Sequence, residues 1–324
     1  MVAVVTLTMN PALDIATVTD RVVPMHKLRC GAPRYDPGGG GINVARVVCA
    51  LGGDALAIFP AGGAAGEMIR HLLHEAGVAH EAVQIAGFTR ESLAVEERGT
   101  GDQYRFILPG PEIGAADQQR CLDRLAAALP AARYVVASGS LPTGVPEDFY
   151  ARVARLAQRH EKPLLLDTSG PALKAVGTAV YLLKPSLREL EQLVGRQITS
   201  EQDEEQAVRD VIAQERAENV VLSLGAKGAL LATRNGSERI SAIPVAAKST
   251  VGAGDSMMGG IVVALSRGFA LHEAVRFGVA AGAAALLGRG TQLCRGDDVE
   301  RMYGKFFLGP GRPLDALGAR SART

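Results

Sequence analysis

"DPGGGGINVARVVCALGG", Asp36 to Gly53, followed almost at once by "ALAIFP", Ala55 to Pro60, sets the architecture. Four glycines run into a long stretch of small and branched apolar residues that reads as a helix. The short β-rich run behind it reads as a buried strand. A helix feeding a buried strand is the repeating unit of an α/β fold. The same alternation continues along the chain. Further apolar β-rich runs stand at Val2–Thr8, Tyr134–Ser138, Pro163–Asp167, Tyr181–Lys184 and Val220–Leu224. Amphipathic helical stretches fall between them at Gly66–Ala76, Asp117–Ala128, Pro146–Gln158, Leu187–Val194 and Glu201–Glu215. This pattern predicts a mainly parallel sheet covered on both faces. Ligands in such folds bind beyond the carboxyl ends of the strands.

Two segments break the rhythm. Residues 14–36 and 84–108 show alternation and turn signals, which predict antiparallel strands and a small second sheet that closes over the site as a lid. A flap of this size has little core and exposes an apolar face unless it packs on a partner. Two Gly/Ala-rich helices, about Asp255–Arg267 and Leu271–Leu286, are expected to pack closely because their side chains are small. Residues 1–308 are read as one domain, and the Gly/Pro/Arg-rich tail 309–324 as disordered.

Composition narrows the function classes. Of 324 residues, 47% are hydrophobic, 4% are aromatic and none is tryptophan, so the core is large and aliphatic. A net charge of +1 offers no electrostatic reason to expect nucleic acid or an anionic membrane. Cys30, Cys49, Cys121 and Cys294 are scattered and read as reduced thiols of a cytoplasmic protein. The N-terminus lacks the basic start and cleavage site of a signal peptide, and no uncharged apolar stretch is long enough to span a bilayer. The histidines show no metal spacing beyond His71/His74, and there is no GxSxG nucleophile elbow.

The chemistry concentrates in glycine. The first run is not a P-loop, because it lacks the lysine and hydroxyl of GxxxxGK[ST], and it does not have dinucleotide GxGxxG spacing. It can let backbone lie against a polyhydroxyl ligand while Asn43 donates and accepts; the plainer reading is a flexible loop before an Asn-capped helix. A second run, "STVGAGDSMMGG", Ser249 to Gly260, holds a lone acid, Asp255, behind Gly252, Ala253 and Gly254. If a helix begins there, its first amides and dipole form an anion hole beside a carboxylate that can take a hydroxyl proton. Phosphoryl transfer to an alcohol requires that pairing. The plainer reading makes Asp255 a helix cap.

Other polar residues fall where strand ends should converge: Asp14, Ser140 in "SGSLPTGVP", Asp167 in "LLLDTSG", Lys184 and Glu189 in "LLKPSLREL", and the turn "LSLGAKGALL" with Gly225 and Gly228. Lys27 and Arg29, two apart and so on one face of a predicted strand, join Arg90 and Arg105 on the lid. Four cations there suit a substrate that already carries a phosphate. The alternative is a solvated strand face interspersed with Glu96, Glu97 and Asp102.

The two glycine runs, in this order and at this separation, resemble the two signatures of the PfkB (ribokinase-like) carbohydrate kinases. The resemblance extends from "TLTMNPALD" to "RGTQLC". Within the family, "TLTMNPALD", "KLRC" and "YRFILPG" resemble the phosphosugar branch. Gly40 stands where 1-phosphofructokinases and tagatose-6-phosphate kinases usually carry a lysine. "PGGGGINVAR", "KLRCGAP", "IFPAGGAAGE", "SLGAKGAL" and "VRFGVAAG" are similar to the minor bacterial type of 6-phosphofructokinase.

The resemblance implies a three-layer αβα sandwich with a β-sheet lid, dimerisation through the lids, and ATP with Mg²⁺, leaving a monovalent cation such as K⁺ open. It implies Asp255 as general base and Gly252, Ala253 and Gly254 as anion hole. Asp14, Gly39, Asn43 and Ser140 would hold the sugar, and Lys27, Arg29, Arg90 and Arg105 its phosphate. Lys184, Ser186, Ser223, Gly225, Gly228 and Gly282 would line the nucleotide site, and Glu189 would organise Mg²⁺ through water. The expected reaction is transfer from ATP to the 1-hydroxyl of fructose 6-phosphate. Fructose 1-phosphate and tagatose 6-phosphate are the alternatives within the class, and a non-catalytic sugar-phosphate binder is the alternative outside it. The chain departs from the family pattern at Ser186, where an Asn is usual, and at Gly288-Arg289, where an Asn is common near the adenine.

Overall fold

The structure is a computed structural model that describes residues 3–288 and 290–308. Val2, Arg289 and the tail from Gly309, with its expected disorder, lie outside the described residues. In chain order the first elements are β1 (Val4–Leu7), β2 (Ala12–Thr19), β3 (Arg34–Gly38), α1 (Gly40–Ala50), β4 (Ala55–Ala61), α2 (Gly63–Glu75) and β5 (Ala79–Gln84). Then come β6 (Arg90–Glu97), β7 (Gln103–Ile107), α3 (Ala115–Ala128), β8 (Tyr134–Ser138), α4 (Phe149–Arg159), β9 (Leu164–Asp167), α5 (Gly170–Lys174) and β10 (Leu182–Leu183). The rest are α6 (Leu187–Val194), α7 (Glu201–Ala213), β11 (Asn219–Ser223), β12 (Ala229–Thr233), β13 (Gly236–Ile240), α8 (Ala253–Ser266), α9 (Leu271–Ala285) and α10 (Gly296–Tyr303).

The main sheet has nine strands in the order β13-β12-β11-β10-β9-β8-β1-β4-β5. It is parallel from β5 to β11, and β12 and β13 add an antiparallel edge. Period-two alternation divides its side chains between two cores. Val4, Leu165 and Val221 face one core with α1, α2, α8 and α9. Val5, Leu164, Leu166, Val220 and Leu222 face the other with α3, α4 and α7. The fold is therefore a three-layer αβα sandwich, as the alternation predicts. Small side chains bring α8 and α9 together: a Cβ on Gly260 would stand 2.7 Å from Ala281 Cβ, and one on Gly278 would collide with Ile261.

A second sheet, β3-β2-β6-β7, covers the carboxyl edge. It differs from expectation in three ways. Gln84 ends β5 in the main sheet, so the second lid segment begins at Arg90. The first segment is a strand only at its two ends, and residues 20–33, which include Pro24 and Pro33, are irregular. Finally, β2 pairs with β6 in parallel from Ala12↔Arg90 to Thr19↔Glu97, so the lid is mixed and not wholly antiparallel. Strands β5 and β13 were not foreseen, because their half-exposed polar residues mask the apolar signal of an edge strand.

Candidate active site

The floor of the cleft is built from the ends of β9 and β10 and the starts of α1 and α8. Lys184 follows β10 and is 4% exposed. Its Nζ lies 2.9 Å from Asp167 Oδ2, at the end of the neighbouring strand. Asp255 lies in the first turn of α8 and accepts a hydrogen bond from Asn43 Nδ2 of α1 at 2.9 Å. The cap reading of Asp255 fails, because Gly252 is the N-cap and no side chain caps the helix. The first-turn amides of α8 are thus left for a ligand. Asn43 is likewise no cap: it is the fourth residue of α1, whose N-cap is Gly39.

The glycines are explained mostly by protein contacts. A Cβ on Gly38 would collide with the Asp14 carboxylate, one on Gly40 with Ser138 Oγ, and one on Gly41 would stand 2.6 Å from the Leu7 carbonyl. Gly252 adopts φ 75°, a left-handed conformation that L side chains resist. Gly254 does not need that freedom. It is helical, and its missing Cβ leaves Lys184 Nζ a place 3.4 Å away, so the ammonium reaches the start of α8.

Charge adjusts these groups. Burial pushes the Asp255 carboxyl up to about 6; Asp167 pushes the same way, the Asn43 hydrogen bond and Lys184 pull back, and Asp14 adds a smaller push. Burial alone would lower the Lys184 ammonium, but Asp167, then Asp255 and Glu189, raise it, so it stays charged. A carboxylate whose protonation equilibrium lies near neutrality beside a fixed cation and free helical amides can accept a hydroxyl proton while negative charge is held nearby.

The lid brings in the second set. Cross-strand register puts Asp14, Ser92 and Asp36 in one row on a single face, with Arg90 and Arg105 in the flanking rows. Burial pushes the Asp14 carboxyl up to about 6 against the pull of Arg90 and Arg105. Arg90 Nη2 donates to the Asn10 carbonyl at 3.1 Å, and Asn10 Nδ2 donates to Ser140 Oγ at 3.1 Å. Arg90 Nε and Asn10 Oδ1 are buried without a hydrogen-bond partner. Buried polar atoms normally have partners, so these two mark a place for a polar ligand.

Lys27 and Arg29 are placed differently from expectation. They lie in the irregular, exposed segment between β2 and β3 and not on a strand. Backbone bonds such as Gly31 N–H to the Val18 carbonyl at 2.9 Å tether that segment, but among the described residues no hydrogen bond or ion pair ties either side chain to the cleft.

On the opposite flank, Ser223 Oγ donates to the Pro185 carbonyl at 3.2 Å. Gly225 and Gly228 turn with φ 56° and 97°, and a Cβ on Gly282 would stand 3.3 Å from the Ala253 carbonyl. The Ser186 departure is structurally accommodated. Its N–H donates to Glu189 Oε2 at 2.8 Å and its Oγ accepts from the Glu189 N–H at 3.4 Å, which forms a capping box at the start of α6. Glu189 also helps to raise the Lys184 ammonium, and a hard carboxylate oxygen suits Mg²⁺. Arg289 lies outside the described residues. Three polar residues escaped the sequence reading of the site, Asn10, Asp36 and Arg46, and Asp167 stood in it without a role. Only Asp167 carried a signal, as an acid at a strand end.

The chain is similar in sequence and fold to known proteins. The family described as pfkB family carbohydrate kinase matches residues 1–297. An ATP-dependent 6-phosphofructokinase isozyme 2 of Mycobacterium tuberculosis is 55% identical over 300 residues, covering 93% of this chain and 88% of the relative. A protein of the same description in Escherichia coli is 42% identical over 306 residues, covering 94% and 98%. Structures of Escherichia coli phosphofructokinase-2 with potassium, with fructose-6-phosphate and in a tetrameric inhibited form superpose with TM-scores of 0.90, 0.88 and 0.89. Their identities are 41%, 40% and 41%, and each alignment covers 94% of this chain and 99% of the other.

Proposed function

The chain belongs to the pfkB family of carbohydrate kinases, and on that footing we propose that it transfers the γ-phosphoryl group of ATP to the 1-hydroxyl of fructose 6-phosphate, giving fructose 1,6-bisphosphate and ADP. The observation that carries this reading is the floor geometry: Asp255, held by Asn43, beside the Lys184–Asp167 pair and the free amides of α8. The choice of sugar rests on the relatives of that activity and on the cationic lid face.

Asp255 takes the proton from the sugar hydroxyl as its oxygen attacks the γ-phosphorus, and the bond to the bridging oxygen of ADP breaks. Lys184 and the amides of Gly252, Ala253 and Gly254 hold the charge that moves with the phosphoryl group. Asp14, Gly39, Asn43 and Ser140 hold the sugar. Arg90 and Arg105 grip its 6-phosphate; Lys27 and Arg29 reach it by reordering of their exposed segment. Ser186, Ser223, Gly225, Gly228 and Gly282 border the nucleotide. Glu189 would hold Mg²⁺ through water, and the metal would supply positive charge to neutralise the phosphates. The Escherichia coli structure with potassium supports a monovalent cation such as K⁺ as a further component of the site.

Residues 1–308 form one kinase unit. The lid pairs with the lid of a second copy, since Tyr35, Leu93 and Phe106, in line with Ile15 across the four strands, are 42%, 37% and 54% exposed. Four free cysteines suit the cytoplasm, and no helix of the described residues is long and apolar enough to cross a membrane.

The test is kcat/KM on fructose 6-phosphate, fructose 1-phosphate and tagatose 6-phosphate, side by side, with the product identified. Fructose 6-phosphate should be preferred and yield the 1,6-bisphosphate. Preference for either of the others overturns the choice of sugar, and no turnover of any overturns the activity.

A further inference from the structure

Arg46 and Asp36 have no part in the reaction just described, yet both are largely buried charges that lead to its base. Arg46 follows Asn43 by one turn on α1. Its Nη1 donates to Asn43 Oδ1 at 3.2 Å and to the Pro37 carbonyl at 2.8 Å, and its Nη2 donates to Asp36 Oδ1 at 3.0 Å. Asn43 passes the chain on, donating from Nδ2 to Asp255 Oδ2 at 2.9 Å.

A carboxamide can sit either way round, with oxygen and nitrogen exchanged, whereas a guanidinium only donates. With Arg46 on one side, the oxygen of Asn43 is the end that must face it. The NH₂ end is then the one that faces Asp255. Were the amide reversed, an oxygen would face the carboxylate and a donor would face the guanidinium, two repulsions in place of two bonds.

Asp36 holds Arg46 in turn. Its side chain is 5% exposed, and Arg34 Nε lies 2.9 Å from Oδ2. Thr291 Oγ1 donates to the same oxygen at 2.5 Å. The neighbouring Gly290 carbonyl accepts from Ser249 Oγ at 2.8 Å, at the head of the second glycine run. A strand of the lid, the helix that carries Asn43 and the approach to α8 therefore meet at one carboxylate. Burial depresses Arg46 against the pull of Asp36, and a buried ion pair is by itself weak evidence of stabilisation.

We propose that Arg46, held by Asp36, is a positioning residue for the base: it sets the Asn43 amide so that its NH₂ end holds the Asp255 carboxylate toward the sugar hydroxyl. This rests on Asp255 being the base. The groups that face Asp255 are Asn43 from α1, Lys184 from the end of β10, Asp167 from the end of β9 and Asp14 from β2. Of these, only Asn43 bonds Arg46.

The test is a double-mutant cycle between Arg46→Met and Asn43→Ala, read as kcat and KM for both substrates. Arg46→Met should lower kcat on the order of 10²-fold, the scale of a misplaced reacting group, with KM for ATP little changed. In the Asn43→Ala background the same substitution should cost less than about twofold more, because residues of one network do not add. Arg46→Lys, which keeps a donor for Asn43 Oδ1, should recover part of the loss. If Arg46→Met does not fold, the cycle with Arg46→Lys is read in the same way. Additive effects, or a silent Arg46, overturn the proposal. Asp255→Asn with near-normal turnover would instead remove the base reading while leaving a coupled Arg46–Asn43 pair.

Discussion

The floor and the lid of the cleft are built on opposite terms. On the floor each charged group is answered within the chain: Lys184 by Asp167, Asp255 by Asn43, and Glu189 Oε2 by Ser186. Its glycines are pressed against Thr8, Ser138 or Leu7, so the backbone has little room to move. The lid has a polar face toward the cleft with Arg90 Nε unpaired, and an opposite face on which Tyr35, Leu93 and Phe106 stay exposed. A pre-set floor suits chemistry, which needs groups fixed before the substrate arrives. An uncompleted lid suits binding, where ligand and partner supply the missing contacts. The contrast predicts that floor substitutions act on kcat and lid substitutions on KM and assembly.

Asp255→Asn should show the largest effect, lowering kcat by at least ~10²-fold, the lower range for a general base, with KM for both substrates little changed. If KM rose and kcat held, the division of labour would be reversed.

Arg90→Ala should come next. Losing a charge-assisted pair at about 1.5–3 kcal/mol should raise KM for fructose 6-phosphate by roughly tenfold or more, with a smaller change in kcat. Lys27→Ala should raise it less, because that segment must first be ordered. An unchanged KM in both variants would remove the phosphate grip from the lid.

Phe106→Asp should have the smallest effect on the isolated fold. Sedimentation should show the dimer giving way to monomer, while thermal melting of the chain shifts by only a few degrees. A dimer that persists at the same strength would put the interface elsewhere.

Much of the floor can be read from the chain. Apolar runs mark β1, β4, β8, β9, β10 and β11, and the two glycine runs stand out from the rest of the chain. Their individual reasons cannot be read. Gly254 looks like a loop glycine and is a helical one that leaves room for Lys184, and Gly38 is small because of an acid more than twenty residues earlier. Asp167 is legible as a strand-end acid, but that it answers Lys184 depends on β9 lying beside β10. The lid is less legible. Its parallel pairing of β2 with β6 joins segments far apart in sequence, and local alternation carries no information on strand direction. Residues 20–33 alternate well enough to suggest a strand, yet Pro24 and Pro33 lack the N–H that a ladder requires. The contact of Arg46 with Asn43 is local, one helical turn apart, but what makes it matter is Asp255, more than two hundred residues on.

The central claim is that a floor carboxylate whose proton affinity burial has raised is the base. It is tested most directly by kcat at saturating substrates, measured from about pH 5 to about pH 8 for the native protein and Asp255→Asn. A base works ionised, so turnover is full above the Asp255 value of about 6 and is lost as pH falls through it. The account predicts that falling acidic limb in the native protein and a low rate without it in the variant. A native rate that stays flat below pH 6, or a variant that keeps the same limb, would contradict it.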